Sequence, residues 1–189
     1  MNLPYHIILG SKSPRRQELL KSLDLEFEIK VRSVDEVFPS DLPVDELAEF
    51  IARKKSEAFS DIQNQELVIT SDTVVVCNNE PMAKASSANE ALEMLTQLSG
   101  KTHQVITGVC IKTKESIISF SEATQVTFRH LEEDEIEYYI DKYKPFDKAG
   151  AYGIQEWIGM IGIESITGDF YNVMGLPLHR LYLELKKLK

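Results

Sequence analysis

The alternation of apolar and polar positions predicts a chain of interleaved strands and helices. Short apolar runs alternate with longer segments in which apolar residues recur at helical spacing. The predicted strands cover residues 7–9, 27–31, 67–76, 104–112, 115–120, 122–128 and 161–166. The predicted helices cover residues 14–23, 45–59, 131–143 and 178–188, and a further one ends at residue 98 after a cap at Ser87 or Asn89. This order predicts a mixed α/β fold with a twisted central sheet flanked by helices.

The strand predicted at residues 67–76 has a polar interruption. The run is otherwise continuously apolar, which is typical of a strand covered on both faces. Ser71, Asp72 and Thr73 stand in the middle of it. A carboxylate there either has partners inside the fold or lies where the strand opens onto a cleft. A purely structural aspartate is the alternative, and we interpret Asp72 as a site residue.

The start of the first predicted helix has the features of an anion site. Pro14 suits the first helical turn, and Ser13 is a suitable N-cap. The backbone donors at that start would face outward together with Ser11, Arg15 and Arg16. Arginine binds phosphate through paired hydrogen bonds, so the expected anion is a polyphosphate. The alternative is an ordinary helix start with surface arginines.

Length, charge and cysteine content narrow the classes of protein. A chain of 189 residues can form one buried domain or two small lobes sharing a cleft, and we assign residues 1–189 to a single domain. The formal net charge of −9 argues against binding to nucleic acid or to anionic membranes. Cys77 and Cys110 lie in apolar runs and are expected to be buried free thiols. Neither a secretion signal nor an apolar run of about 20 residues is visible, which predicts a cytoplasmic protein.

Carboxylates and lysines elsewhere in the chain could complete a phosphate site. Asp35, Glu36 and Asp72 offer the hard oxygen ligands that Mg²⁺ or Mn²⁺ takes together with substrate phosphates. Lys55 and Lys84 could neutralise the charge on a leaving pyrophosphate. The position of Lys55 along its predicted helix, however, favours plain solvation as the simpler interpretation.

The Gln155 side chain and the absence of other nucleotide-binding motifs narrow the interpretation of this phosphate site. Gln155 lies in a glycine-containing segment, and its amide could read a base edge because it both donates and accepts hydrogen bonds. The sequence has neither a P-loop nor a Gly-x-Gly-x-x-Gly turn, and its histidines lack metal-ligand spacing. Ser11 and Ser13 lack a nucleophile-elbow context, so they are interpreted as phosphate-binding hydroxyls.

Five ordered blocks resemble the Maf family of nucleoside triphosphate pyrophosphatases, also called septum-formation inhibitor proteins. The blocks are GSKSPRRQELL at residues 10–20, SDT at 71–73, GKTH at 100–103 with TGV at 107–109, DKAGAYGIQ at 147–155 and NVMGLP at 172–177. They run nearly end to end. The resemblance implies a fold like that of inosine triphosphate pyrophosphatase, with two lobes around a nucleotide cleft.

The resemblance also implies an activity and the residues that perform it. The family cleaves nucleoside triphosphates between the α- and β-phosphates with a divalent metal, and the Ile154-Gln155 ending resembles the branch acting on dTTP and UTP. By position, Asp72 would accept the proton of the attacking water and, with Glu36, bind Mg²⁺ or Mn²⁺. The implied substrate-binding residues are Ser11, Arg15, Arg16, Lys55, Thr73, Lys84 and Gln155. Family members are often dimers, so a homodimer is expected.

Two other functions remain open at this point. The family's historical name suggests a nucleotide-binding regulator of cell division that performs no catalysis. A phosphatase that removes the terminal phosphate is the other alternative. Both need the phosphate site. A regulator would bind the nucleotide without turnover in Mg²⁺, and the identity of the products separates a phosphatase from the pyrophosphatase.

Overall fold

A computed structural model describes residues 3–189, so Met1 and Asn2 of the predicted domain lie outside the described residues. The strands are β1 (His6–Leu9), β2 (Phe27–Ile29), β3 (Glu66–Cys77), β4 (Glu80–Met82), β5 (Thr102–Lys112), β6 (Ile117–Phe128) and β7 (Ile163–Thr167). The helices are α1 (Pro14–Lys21), α2 (Val44–Glu57), α3 (Ala88–Leu98), α4 (Glu133–Tyr143), α5 (Trp157–Gly162), α6 (Phe170–Met174) and α7 (Leu178–Lys186).

The strands form one mixed sheet in the order β2-β1-β3-β5-β6-β7, and β4 pairs with β3 off this path. Strand β1 pairs in parallel with both β2 and β3, and its Ile7, Ile8 and Leu9 are buried. Strand β4 is antiparallel to β3, and β7 is antiparallel to β6. The burial of these three residues is typical of a continuously apolar strand that is covered on both faces. The mixed α/β expectation is confirmed.

The chain divides into two compact units. The first unit comprises Met1–Asp72, Thr107–Glu122 and Gly175–Lys189. The second unit comprises Thr73–Ile106 and Ala123–Met174. The boundary at residues 72 and 73 falls inside the polar interruption of β3. The assignment of residues 1–189 to a single domain stays a prediction.

Local signals located several element ends correctly. Helix α1 begins at Pro14 with Ser13 at the N-cap position, as predicted. Ser87 is the cap of α3, because its hydroxyl accepts a hydrogen bond from the Glu90 N–H at 3.2 Å. Cys77 and Cys110 are both buried free thiols. Within residues 3–189, no helix is both long and apolar enough to span a bilayer.

Other predicted boundaries were wrong. The strands predicted at residues 115–120 and 122–128 form the single strand β6, because Ser121 alone is too short a break to turn the chain. The strand predicted at residues 161–166 starts later, and Ile161 belongs to α5. A Cβ on Gly159 would lie 2.0 Å from the Ile154 carbonyl oxygen, so this glycine permits the close approach of α5 to the segment before it.

The second unit contains a buried histidine that stays neutral. His103 Nε2 lies 2.7 Å from the Tyr152 hydroxyl, and its ring stacks on Phe128 with 5.5 Å between centroids. Burial lowers the pKa of His103 to about 4. Its Nδ1 has no hydrogen-bond partner within residues 3–189, so a second ring proton would have no acceptor there. The protonated form is therefore disfavoured in the folded state.

We expect His103 to make the protein less stable in acid. Between pH 6.5 and about 4 the unfolded chain binds a proton at this ring and the folded chain does not, so the free energy of unfolding falls as pH falls. The contribution is about 3 kcal/mol across that range. Urea unfolding between pH 7 and pH 4 should show that the free energy of unfolding falls less in His103→Gln than in the wild type as the pH is lowered. The control is His130→Gln, at an exposed ring, and parallel curves for all three proteins would contradict the expectation.

Candidate active site

Strand β3 places Asp72 at the edge of the first unit's buried core. Residues 67–71 are buried, whereas Asp72 and Thr73 are only half-buried. The Thr70 hydroxyl donates to the Ala52 carbonyl of α2 at 2.6 Å, which joins this strand to the helix carrying Lys55. The polar interruption is therefore a short, half-buried break between two buried stretches of β3, residues 67–71 and 74–77.

Lys55 joins two of the predicted carboxylates. Its Nζ lies 2.6 Å from Asp72 Oδ1 and 2.8 Å from Glu36 Oε1. The Lys55 side chain is only 19% exposed and that of Asp72 only 15%, so water screens this pair less than a surface pair. The neighbouring Lys54 donates to the Val37 carbonyl at 2.8 Å, so consecutive lysines hold consecutive residues of the irregular segment before α2. Plain solvation, the simpler interpretation of Lys55, is wrong.

Arg16 donates hydrogen bonds to main-chain carbonyls close to Asp72. Its Nε donates to the Gly175 carbonyl and its Nη1 to the Ser71 carbonyl, both at 2.9 Å. Burial lowers the pKa of Arg16, and the nearby charge of Asp72 opposes that shift. The like charge of Arg15 also acts to lower the pKa of Arg16. Arg16 therefore positions the residue before Asp72 in addition to supplying positive charge.

Two serines, Ser11 and Ser13, contact each other just before α1 begins. The Ser11 hydroxyl is buried and accepts a hydrogen bond from the Ser13 N–H at 3.2 Å. Ser13 stands at the N-cap with an extended backbone, but its side chain makes no capping hydrogen bond. The N-terminal N–H groups of α1 thus carry the positive end of the helix dipole close to two arginines, which suits an anion.

Three predicted substrate residues belong to the second unit. Thr73 follows Asp72 directly on β3 and is half-buried. Lys84 is exposed, its main chain pairs with Ala149, and its ammonium has no hydrogen bond or ion pair within residues 3–189. The Gln155 side chain is half-buried, and its Oε1 is buried without a hydrogen-bond partner in the described chain. The structure thus brings Arg16, Glu36, Lys55 and Asp72 together in the first unit. Thr73, Lys84 and Gln155 belong to the second unit.

The oxygen ligands fit a hard divalent cation that also binds substrate. Glu36 and Asp72 converge on one positive charge, the Lys55 ammonium, so their carboxylates already face a common point. Among the residues described, no cluster of three or more His, Cys, Asp or Glu could hold a metal by itself. Magnesium commonly takes one or two carboxylates and completes its shell with water and phosphate oxygens. The pair therefore suits a cation brought in together with a polyphosphate.

Sequence reasoning assigned no role to three residues around Gln155. Lys148 and Glu156 form an ion pair with 3.1 Å between Nζ and Oε1, and the Tyr139 hydroxyl donates to Glu156 Oε2. The available sequence signal for the ion pair was the opposite charge of Lys148 and Glu156, which flank a glycine-containing segment. Nothing local marks Tyr139, because its partner lies 17 residues further along the chain.

Fold and site together define a mixed α/β protein whose first unit gathers the carboxylates of Glu36 and Asp72 around Lys55, with Arg16 beside them. The chain belongs to the Maf family, because the family profile described as Maf-like protein matches residues 6–188. The resemblance drawn from the five sequence blocks is therefore confirmed.

Two relatives and one solved structure illustrate the similarity. The chain is 52% identical over 186 residues to the dTTP/UTP pyrophosphatase of Bacteroides thetaiotaomicron, covering 97% of this chain and 96% of that protein. It is 50% identical over 180 residues to the dTTP/UTP pyrophosphatase of Flavobacterium psychrophilum, covering 95% and 92%. In fold it resembles the Staphylococcus aureus Ham1 protein, with a TM-score of 0.57 and 17% identity over 97% of this chain and 100% of that one. That likeness concerns the fold alone.

Proposed function

We propose that this protein hydrolyses dTTP and UTP, and modified pyrimidine nucleoside triphosphates, to the monophosphate and pyrophosphate. The observation that carries the proposal is the half-buried Asp72 carboxylate, held by Lys55 at 2.6 Å beside the half-buried Arg16. A positioned base amid cations is what attack on a phosphoanhydride needs. The names of the relatives, dTTP/UTP pyrophosphatase, support the choice of substrate.

In the proposed reaction, a water oxygen attacks the α-phosphorus. Asp72 accepts a proton from that water, and the bond from the α-phosphorus to the bridging oxygen breaks. Pyrophosphate leaves with the added negative charge. Cations stabilise that charge more where water is partly excluded, as around the half-buried Arg16 and Lys55. The residues proposed to bind the phosphates are Ser11, Arg15, Arg16, Lys55 and Lys84.

A divalent cation, Mg²⁺ or Mn²⁺, is proposed at Glu36 and Asp72. When bound, it would neutralise phosphate charge and polarise the α-phosphorus. The Lys55 ammonium lies between the same two carboxylates, so it holds them near each other before the substrate arrives. Without a cation there, two neighbouring carboxylates would repel each other.

Thr73 and Gln155 are proposed to select the base. Thymine and uracil present an N–H donor between two carbonyl acceptors. The buried, unpartnered Gln155 Oε1 suits that donor, and the amide N–H₂ suits a carbonyl. A site with a buried polar group discriminates against bases that leave it unpaired.

The direct test of the function is a product assay on the purified protein with Mg²⁺. We expect dTTP and UTP to be converted faster than dCTP, ATP or GTP, giving the monophosphate and pyrophosphate. Nucleoside diphosphate with orthophosphate would instead identify a terminal phosphatase. Binding of dTTP without turnover would favour the non-catalytic regulator.

Gln155→Glu should reduce the use of dTTP in particular. The carboxylate accepts but cannot donate, so one contact to the base edge is lost, and kcat/KM should fall about 10- to 100-fold. The value for dCTP should fall less, because its exocyclic amine can donate to the new carboxylate. Steady-state kinetics with both substrates provide the measurement. Gln97→Glu, at an exposed position of α3, is the matched control, and equal losses for dTTP and dCTP would contradict the role.

Three further expectations are part of the proposal. We expect a homodimer, which light scattering of the purified protein would reveal. A cytoplasmic location also stays a prediction, and fractionation of cells producing the full chain would test it. Binding to nucleic acid is not expected, because the chain carries a formal net charge of −9.

A further inference from the structure

A short loop in the second unit supports both Lys84 and Gln155. Residues 147–156 contain Ala149, whose main chain pairs with that of Lys84, and the Gly150 N–H donates to the Ala83 carbonyl at 3.4 Å. The same loop ends in a turn in which the Glu156 N–H donates to the Gly153 carbonyl at 3.0 Å. Gln155 lies inside that turn. Contacts that fix the conformation of this loop therefore also fix the positions of Lys84 and Gln155.

A buried ion pair closes this loop. Lys148 Nζ lies 3.1 Å from Glu156 Oε1, and the Lys148 side chain is only 9% exposed. Lys148 also pairs with the more exposed Asp147 at 2.9 Å. A buried ion pair contributes little net stability, because desolvation offsets the attraction, so its value lies in fixing one arrangement of the chain.

Tyr139 of α4 completes the network from the core. Its side chain is fully buried, and its hydroxyl donates to Glu156 Oε2 while accepting from the Gly153 N–H at 3.1 Å. Burial raises the pKa of Tyr139, so the hydroxyl keeps its proton and stays a donor. Both carboxylate oxygens of Glu156 are thus engaged, and both ends of the Gly153–Glu156 turn are tied to one tyrosine.

The fit around Gly153 shows how closely Glu156 folds back. A Cβ on Gly153 would lie 2.8 Å from the Glu156 carboxyl carbon, so the side chain occupies the space beside this glycine. Gln155 therefore projects from a turn whose backbone is held by one carboxylate, one ammonium and one hydroxyl. An amide carries a donor and an acceptor side by side, so a turn free to shift would let it pair with more than one base edge.

We propose that Glu156 is a positioning residue that, with Lys148 and Tyr139, holds the Gln155 amide in the orientation that selects the base. This inference rests on the proposed function, because it assigns Gln155 to base recognition. Glu156 touches neither substrate nor reacting atoms in this scheme. It acts by ordering the turn before the substrate binds, so that binding does not have to order it.

Glu156→Gln tests the proposal, because it keeps the shape of the side chain and removes its charge. We expect KM for dTTP to rise about tenfold with kcat within about twofold, since a charge-assisted contact is lost away from the reacting atoms. The preference for dTTP over dCTP should fall by a similar factor. Glu156→Asp, which restores the charge, should recover part of that preference. Asp141→Asn, which breaks an exposed ion pair with Lys144 in the same unit, is the control.

Hydrogen exchange supplies a readout that does not depend on turnover. The Gly153 and Glu156 amides should exchange about tenfold faster in Glu156→Gln than in the wild type, because the turn opens more often. If Glu156→Gln does not fold, Tyr139→Phe keeps the ion pair and removes only the hydroxyl, and the same changes are expected.

The outcomes separate this inference from the proposed function. A wild type that cleaves dTTP, with variants that change dTTP and dCTP kinetics equally, would overturn the positioning role and leave the function standing. A wild type without pyrophosphatase activity would overturn the function, and with it the selective role given to Glu156. Unchanged exchange at Gly153 and Glu156 would overturn the inference in either case.

Discussion

Asp72→Asn is expected to lower kcat for dTTP by about 1000-fold while leaving the fold intact, since a positioned general base contributes about 10²–10⁴ in rate. Asparagine has the same shape, and its carbonyl oxygen can still accept the hydrogen bond that Lys55 donates at 2.6 Å. What disappears is the ability to take a proton from water. The loss should therefore fall mainly on kcat, and KM for dTTP should rise less, because one charged ligand of the proposed cation is also lost.

Steady-state kinetics and thermal unfolding of the same preparation measure this prediction. Asp61→Asn is the matched control, because Asp61 is an exposed carboxylate of the same unit, paired with Arg32 on the surface. It should retain full activity. An Asp72→Asn protein that keeps more than a tenth of wild-type turnover would show that another group accepts the proton.

Gly108→Ala is expected to cause the largest loss of stability of any change predicted for this chain. A Cβ on Gly108 of β5 would lie 2.2 Å from the Ala48 carbonyl carbon and 2.3 Å from the Glu49 nitrogen of α2. Both atoms are main chain, so the whole helix would have to move. Overpacking of a core commonly costs about 1–3 kcal/mol, and contact with the backbone should place this variant at or above the upper end.

The same displacement should reduce activity, because α2 also carries Lys55. Urea unfolding measures the stability change, and the product assay measures the activity. Gly100→Ala separates steric clash from backbone strain: Gly100 has a φ of +67°, but its Cβ would meet nothing within 4 Å. That control should cost about 1 kcal/mol through strain alone. Equal losses in the two variants would contradict the clash.

Parts of the fold could be predicted because the deciding signals were local. Proline and serine at the start of α1 and the serine cap of α3 act within a few residues, and both helices begin where predicted. The polar interruption of β3 was visible for the same reason. The strand boundary near residue 161 was wrong because Ile161 and Gly162 belong to α5, where Gly159 allows a close contact with the Ile154 carbonyl that a sequence pattern does not show.

The candidate site was only partly visible, because its partners are distant in sequence. Spacing along α2 cannot show that Lys55 meets a carboxylate 19 positions before it and another 17 positions after it. The resemblance to a known family supplied that residue. Arg16 was predicted as a phosphate ligand, and its bonds to the Ser71 and Gly175 carbonyls add a positioning role that sequence could not reveal.

The acidic helix α4 shows the limit most clearly. Its glutamates suit the positive end of the helix dipole, and the capping box formed by Glu132 and Glu135 fits that interpretation. The opposite face buries Tyr139, whose hydroxyl reaches the turn that carries Gln155. Helical periodicity predicts that such a residue is buried, but it does not predict which polar group it will meet.

Hydrolysis of dTTP in ¹⁸O-labelled water tests the central claim most directly. We predict that the products are dTMP and pyrophosphate and that the label enters dTMP, because water attacks the α-phosphorus. Label in pyrophosphate would mean attack at the β-phosphorus, and labelled orthophosphate with dTDP would mean cleavage of the terminal phosphate. Either result would contradict the proposed mechanism.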